Sequence, residues 1–84
     1  MSSSGDSPIG RRGRITSTGA IRPGRTGEVM VSIRGGVEAF LARDADGGCI
    51  EPYAEVVVID YEPPRTVTVA RLPTDPLAAE EPPS

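Results

Sequence analysis

The sequence has no histidine and a single cysteine, Cys49. An intramolecular disulfide is therefore impossible, and the usual zinc ligand sets of cysteine and histidine cannot be assembled. The residues needed for nucleophilic catalysis are also incomplete, because Cys49 has no histidine that could act as its base. We predict a non-catalytic protein with no cofactor, no metal site and no small-molecule substrate.

Lysine is absent as well, so all nine basic residues are arginines, and twelve acidic residues bring the net charge to −3. Proteins that attract nucleic acid electrostatically are normally basic. Stacking on bases would need aromatic side chains, and the chain has only Phe40, Tyr53 and Tyr61. Binding of nucleic acid is therefore the less favoured function.

Long apolar runs are missing too. No stretch approaches the roughly 20 apolar residues of a transmembrane helix. The N-terminus also lacks the apolar segment of a signal peptide. We expect the chain alone to be soluble.

Both ends of the chain are poor in the apolar side chains from which a core is built. Residues 1–8 are rich in serine, and residues 73–84 are rich in proline, alanine and acidic side chains. Such compositions do not offset the entropy lost on ordering. We predict disordered tails at 1–8 and 73–84 and one small domain over residues 9–72.

Within residues 9–72 the dominant hydrophobic period is two, which is the period of β-strands. A weak first strand around Ile15 is predicted to end at Gly19, and a turn is predicted at Gly35-Gly36. The other predicted strands cover residues 27–33, 37–43, 54–62 and 65–72. Short strands joined by Gly and Pro turns predict an all-β fold, and five of them suit a small OB-like β-barrel.

The segment GAIRPGRTGE, residues 19–28, is close to a phosphate-binding loop, with Arg25 in the place of the lysine. A true P-loop leads into a helix, whose N-terminus holds the phosphates. Here an alternating strand pattern follows Thr26. We interpret the segment as a strand connection that turns at Pro23-Gly24.

The order and spacing of several short motifs resemble the C-terminal domain of NfeD-like proteins, an OB-type barrel. Each motif is common by itself, but together they span the predicted domain. One position departs from the family, which usually has glycine after the proline that corresponds to Pro52; here it is Tyr53, although Pro52 still fixes the chain locally. The motifs are Gly10-x-x-Gly13, Ile21-Arg22-Pro23-x-Arg25-x-Gly27, Gly35-Gly36, Glu38-Ala39-Phe40, Ile50-x-Pro52, Val56-x-Val58 and Val67-x-Val69.

NfeD-like proteins are membrane proteins whose barrel is attached to transmembrane helices, and they are commonly paired with stomatin- or flotillin-type scaffold proteins. The resemblance implies a protein-interaction module that is membrane-associated through the full-length protein and has such a scaffold as its partner. The candidate contacts are Arg22, Arg25, Phe40 and Tyr53, each of which an ordinary turn or core position would also explain. The alternative is an OB-fold domain that binds single-stranded nucleic acid.

Overall fold

A computed structural model describes residues 7–73 and contains five β-strands in that range. Strands two to five begin and end within one residue of the predicted bounds. The tails predicted for residues 1–8 and 73–84 lie outside the described range except at Ser7, Pro8 and Pro73. The strands are β1 (Arg12–Ile15), β2 (Gly27–Ile33), β3 (Gly36–Asp44), β4 (Glu55–Glu62) and β5 (Thr66–Arg71).

The first strand is shorter than predicted, because β1 ends at Ile15 and not at Gly19. Beyond it the chain turns, and the N–H of Gly19 donates to the carbonyl of Thr16 at 3.2 Å. The predicted turn at Gly35-Gly36 lies one residue earlier. Arg34 and Gly35 have positive φ values of 45° and 80°, as a two-residue hairpin turn requires, and Gly36 already belongs to β3.

The strands close into a barrel in the order β1-β2-β3-β5-β4, and β4 pairs with β1 to complete the ring. The β3–β5 pair is parallel, and the other four pairs are antiparallel. A register shift between Val58 and Asp60 marks an irregularity in the β4–β5 pair. The predicted all-β, five-stranded barrel of OB type is confirmed.

The interior of the barrel is filled by alternate apolar residues of the strands, as the period of two requires. No polar or charged side chain is buried among residues 7–73. Phe40 contributes the aromatic ring of this core, edge-on to Tyr61 with ring centres 6.0 Å apart. The buried apolar residues are Ile15, Ile21, Val29, Val31, Phe40, Ala42, Ile50, Val56, Val58, Val67 and Val69.

Two core residues, Ile21 and Ile50, come from loops rather than strands. Their backbones form a two-way bridge, with N–H to carbonyl distances of 2.9 and 3.0 Å. Because both side chains are almost fully buried, the bridge is anchored in the core. The β1–β2 loop (residues 16–26) is thereby held beside the β3–β4 loop (residues 45–54).

Candidate functional site

A tight hairpin at residues 22–25 projects from the β1–β2 loop, and we refer to it as the arginine turn. The N–H of Arg25 donates to the carbonyl of Arg22 at 2.9 Å, and Pro23 and Gly24 occupy the two central positions. Gly24 has a φ of 73°, so proline followed by this glycine suits a type II turn. The predicted turn at Pro23-Gly24 is confirmed, and both arginines are exposed.

The base of the arginine turn is fixed by a close approach between two backbone segments. The N–H of Glu28 donates to the carbonyl of Gly19 at 2.9 Å. A β-carbon on Gly27 would lie only 1.9 Å from that carbonyl oxygen. Glycine is therefore required at the start of β2, and it sets where the arginine turn leaves the barrel. The chain continues from Thr26 into β2. A strand and not a helix therefore follows the P-loop-like segment.

A third arginine, Arg43, lines the same hollow as the arginine turn. The hollow has a volume of about 380 Å³, and its walls include Arg22, Arg25, Arg43, Asp44 and Gly48. The Oδ2 atom of Asp44 accepts the N–H of Gly48 at 2.9 Å, which ties that carboxylate to the β3–β4 loop. Three arginines and one aspartate with an engaged carboxylate thus line the hollow, which we refer to as the arginine hollow.

The charges of these arginines are weakly compensated. Within residues 7–73, the side chains of Arg22 and Arg25 form no ion pair and no hydrogen bond. Arg43 reaches Glu62 only at 3.9 Å, with both side chains more than half exposed, and such surface pairs contribute little. Arg43 is absent from the contacts predicted from the sequence, since only the folded barrel brings β3 to the β1–β2 loop.

Apolar side chains continue from the arginine turn across the outside of the barrel. Met30, Val37 and Leu41 are 37%, 58% and 48% exposed. Ala39 lies directly opposite Met30 across the β2–β3 pair. We call these four residues the outer strip. Leu41 shares the wall of a second hollow with both arginines of the turn, so charged and apolar surface are continuous.

The predicted contacts Phe40 and Tyr53 lie in different surroundings. Phe40 is only 6% exposed and belongs to the core, on the inner side of β3. Tyr53 is 63% exposed and lines a separate hollow with Arg14, Glu51 and Glu55. The structure therefore brings Arg22 and Arg25 together, and leaves Phe40 beneath the surface and Tyr53 in another hollow.

Ion pairs border the hollow at Tyr53. Arg14 donates to Glu55 at 2.7 Å, and Arg71 donates to Glu51. The hydrogen bond from the Arg71 side chain holds the pKa of Glu51 below its ordinary value, and a backbone N–H and the charge of Arg71 act in the same direction. These carboxylates are already satisfied, unlike the guanidinium groups of the arginine turn.

Tyr53 has a φ of 69°, a left-handed conformation that side chains with a β-carbon rarely adopt. Its N–H donates to the carbonyl of Ile15 at 2.9 Å, which holds the turn into β4. We expect a Tyr53→Gly variant to have a free energy of unfolding about 1 kcal/mol higher than a Tyr53→Ala variant, because glycine relieves the strain of this conformation. Urea denaturation measures the difference, and both variants lack the phenol ring. Equal stabilities would contradict strain at this position.

Between residues 7 and 73, no three His, Cys, Asp or Glu side chains are grouped so that they would hold a metal ion. That range also contains no helix of the length and apolarity that crossing a bilayer demands. Cys49 is exposed and unpaired.

Comparisons with known proteins point to a single family. The family model of the NfeD C-terminal domain matches residues 12–70. The C-terminal domain of stomatin operon partner protein 1510-C from Pyrococcus horikoshii is 31% identical over 77% of this chain and 88% of that chain, with a TM-score of 0.61. The soluble domain of the NfeD protein YuaF from Bacillus subtilis is 26% identical over 74% and 70% of the two chains, with a TM-score of 0.63. No curated protein sequence gives a match. The match to the family model covers well over half of the chain, and the chain therefore belongs to the NfeD C-terminal domain family.

Proposed function

We propose that this domain is a non-catalytic protein-interaction module of an NfeD-like membrane protein and acts with a stomatin- or flotillin-type scaffold protein. One observation carries the proposal: a relative with 31% identity over most of its length is named a stomatin operon partner protein. Membrane association would come from helices of the longer protein, and the barrel would supply the contact with the scaffold.

The contact surface that we propose is the arginine turn together with the outer strip. Arginine and methionine are enriched at protein interfaces, and here Arg22 and Arg25 adjoin Leu41 and, along the strip, Met30. Phe40 would support this surface from beneath, since it packs on the inner side of β3. The surface combines aliphatic area with charge that is not compensated within the described residues.

Tyr53 is proposed as a second contact. Exposed tyrosines are frequent anchors of interfaces, and residues held in strained backbone conformations cluster at functional sites. Tyr53 has both properties, with 63% exposure and a φ of 69°.

Our proposal that the domain is non-catalytic agrees with the exposure of its ionisable side chains. Enzymes shift the pKa of catalytic acids and bases by burial and by neighbouring charges. Among residues 7–73 no polar or charged side chain is buried. The carboxylates Glu51 and Glu55 form exposed ion pairs with Arg71 and Arg14, an arrangement typical of a surface and not of a reaction centre.

The residues of the outer strip bear on the alternative function, which is binding of single-stranded nucleic acid. OB-folds take oligonucleotides on the outer face of strands two and three and on the neighbouring loops, which is where the outer strip and the arginine turn lie. Nucleic-acid binding there depends on bases stacking on aromatic rings. The outer strip offers Met30, Val37, Ala39 and Leu41 instead. Aliphatic side chains favour a protein partner.

The test is direct binding of the purified domain to a purified stomatin-type scaffold protein, measured by calorimetry. We expect saturable binding that the double variant Arg22→Ala/Arg25→Ala weakens at least tenfold. Arg12→Ala is the comparison variant: Arg12 is an exposed arginine at the opposite end of β1 from the arginine turn. Because it borders Met30 and Val37 of the outer strip, we expect it to weaken binding less than the double variant does.

Two outcomes would overturn the proposal. One is failure of the scaffold to bind at concentrations at which the domain is folded. The other is micromolar, salt-sensitive binding of short single-stranded DNA or RNA to the same surface, which would make nucleic acid the primary ligand.

A further inference from the structure

The arginine hollow is a concave site with an excess of positive charge. Its volume of about 380 Å³ falls at the lower end of the range of ligand pockets. Arg22, Arg25 and Arg43 stand on its walls against a single carboxylate, Asp44, which already accepts the N–H of Gly48. The local charge is positive in a chain whose net charge is −3.

The arginines of the walls favour ligands that carry carboxylate or phosphate groups. A guanidinium group presents parallel N–H donors that match the two oxygens of a carboxylate. Two of the three guanidinium groups, those of Arg22 and Arg25, have no partner within the described residues. The hydrogen bond that closes the arginine turn at 2.9 Å sets the spacing of the two backbone positions from which these side chains extend. Both guanidinium groups are therefore available to a ligand at the same edge of the hollow.

The small, concave form of the hollow favours a short acidic segment over an extended polyanion as its ligand. A nucleic acid or an anionic membrane presents negative charge over a wide area and requires many cationic contacts, whereas residues 7–73 carry nine arginines against eight acidic side chains. A protruding side chain can enter the hollow without such contacts. Leu41 lines the adjoining hollow together with both arginines of the turn and with Glu28, so apolar surface lies next to the charged one.

We propose that the arginine hollow binds the carboxylate side chains of a short acidic segment of a protein partner, and that an adjacent apolar side chain of that segment packs on Leu41. The inference rests on the proposed interaction function and names the chemistry of the segment recognised. The arginine turn supplies two of the donors, and Arg43 supplies the third from β3.

The experiment uses a hexapeptide of alternating glutamate and leucine, added to the ¹⁵N-labelled chain and followed by NMR. We expect amide shifts concentrated at residues 24–26 and 47–48, and an affinity at least tenfold higher than that of the same peptide with glutamine for glutamate. Arg22→Ala/Arg25→Ala and Arg43→Ala should each reduce the affinity at least fivefold, and Arg12→Ala should leave it within twofold.

Several results would overturn the inference. Equal binding of the glutamate and glutamine peptides would remove the role of the carboxylates. Shifts confined to other residues would place the peptide elsewhere. Phosphatidylglycerol vesicles or a single-stranded oligonucleotide could also bind in preference to the peptide. If that binding depended on the arginines, the ligand of the hollow would be a lipid or a nucleic acid.

The proposed interaction function and the acidic-segment inference can be disproved independently of each other. If the scaffold binds the wild-type chain and both arginine variants equally well, the interaction function stands and the acidic-segment inference is wrong. If the glutamate peptide binds with the expected arginine dependence while the scaffold does not bind, the site chemistry stands and the partner class is wrong.

Discussion

Replacing Gly27 by alanine is expected to lower the free energy of unfolding by about 3 kcal/mol or more. The new β-carbon would lie 1.9 Å from the carbonyl oxygen of Gly19 and 2.8 Å from that of Ala20. Both atoms belong to the backbone, so no change of rotamer relieves the overlap, and moving Gly19 breaks its hydrogen bond with Glu28. Since a domain of this size has a total stability on the order of 5 kcal/mol, the variant should be largely unfolded in mild denaturant.

Guanidinium chloride denaturation followed by circular dichroism measures this effect. Gly36→Ala is the matched control, because the nearest atom to its new β-carbon, other than its direct neighbours, is 3.9 Å away. We expect that variant to stay within about 0.5 kcal/mol of the wild type. Equal stabilities of the two variants would show that the start of β2 is free to move away from Gly19.

Replacing Phe40 by alanine is expected to cost about 3 to 4 kcal/mol of stability. The ring is 6% exposed, and its edge-on contact with Tyr61 is lost with it. Removing a ring from so small a core leaves a cavity into which the surrounding side chains relax only partially. Thermal and chemical denaturation both report the loss.

Two control variants separate the core role of Phe40 from a direct contact with a partner. Phe40→Leu keeps most of the buried volume and should bind the scaffold as the wild type does. Leu41→Ala changes the outer side of the same strand, so it should weaken binding and leave stability nearly unchanged. If Phe40→Leu abolished binding in a fully folded domain, Phe40 would be a contact residue.

The strands could be predicted from the sequence because each follows local rules. In β2, Val29 and Val31 alternate with exposed or half-buried residues, and the structure buries both. Gly35 and Pro63-Pro64 mark the turns that flank β3 and β4. Such signals depend on neighbours along the chain, and they gave the bounds of β2 to β5 to within one residue.

The candidate site was less predictable because it depends on contacts between distant parts of the chain. Arg22 and Arg25 are spaced as a turn would place them. The bridge between Ile21 and Ile50, however, has no local signal, and without it nothing indicates that the arginine turn and Arg43 line one hollow. The conformation of Tyr53 was marked only by the departure from the glycine that the family usually has there.

The closed ring of strands limits how any partner can recognise this domain. Many small β-domains bind a peptide by adding it as an extra strand to a free sheet edge, where backbone hydrogen bonds provide the affinity whatever the sequence of the peptide. Here each of the five strands has a neighbour on both sides over at least part of its length. Strand addition is therefore restricted to short stretches such as residues 36–40 of β3, which pair with β2 but not with β5. We expect a protein partner to be recognised mainly through side chains and loops, so that its own sequence determines the affinity.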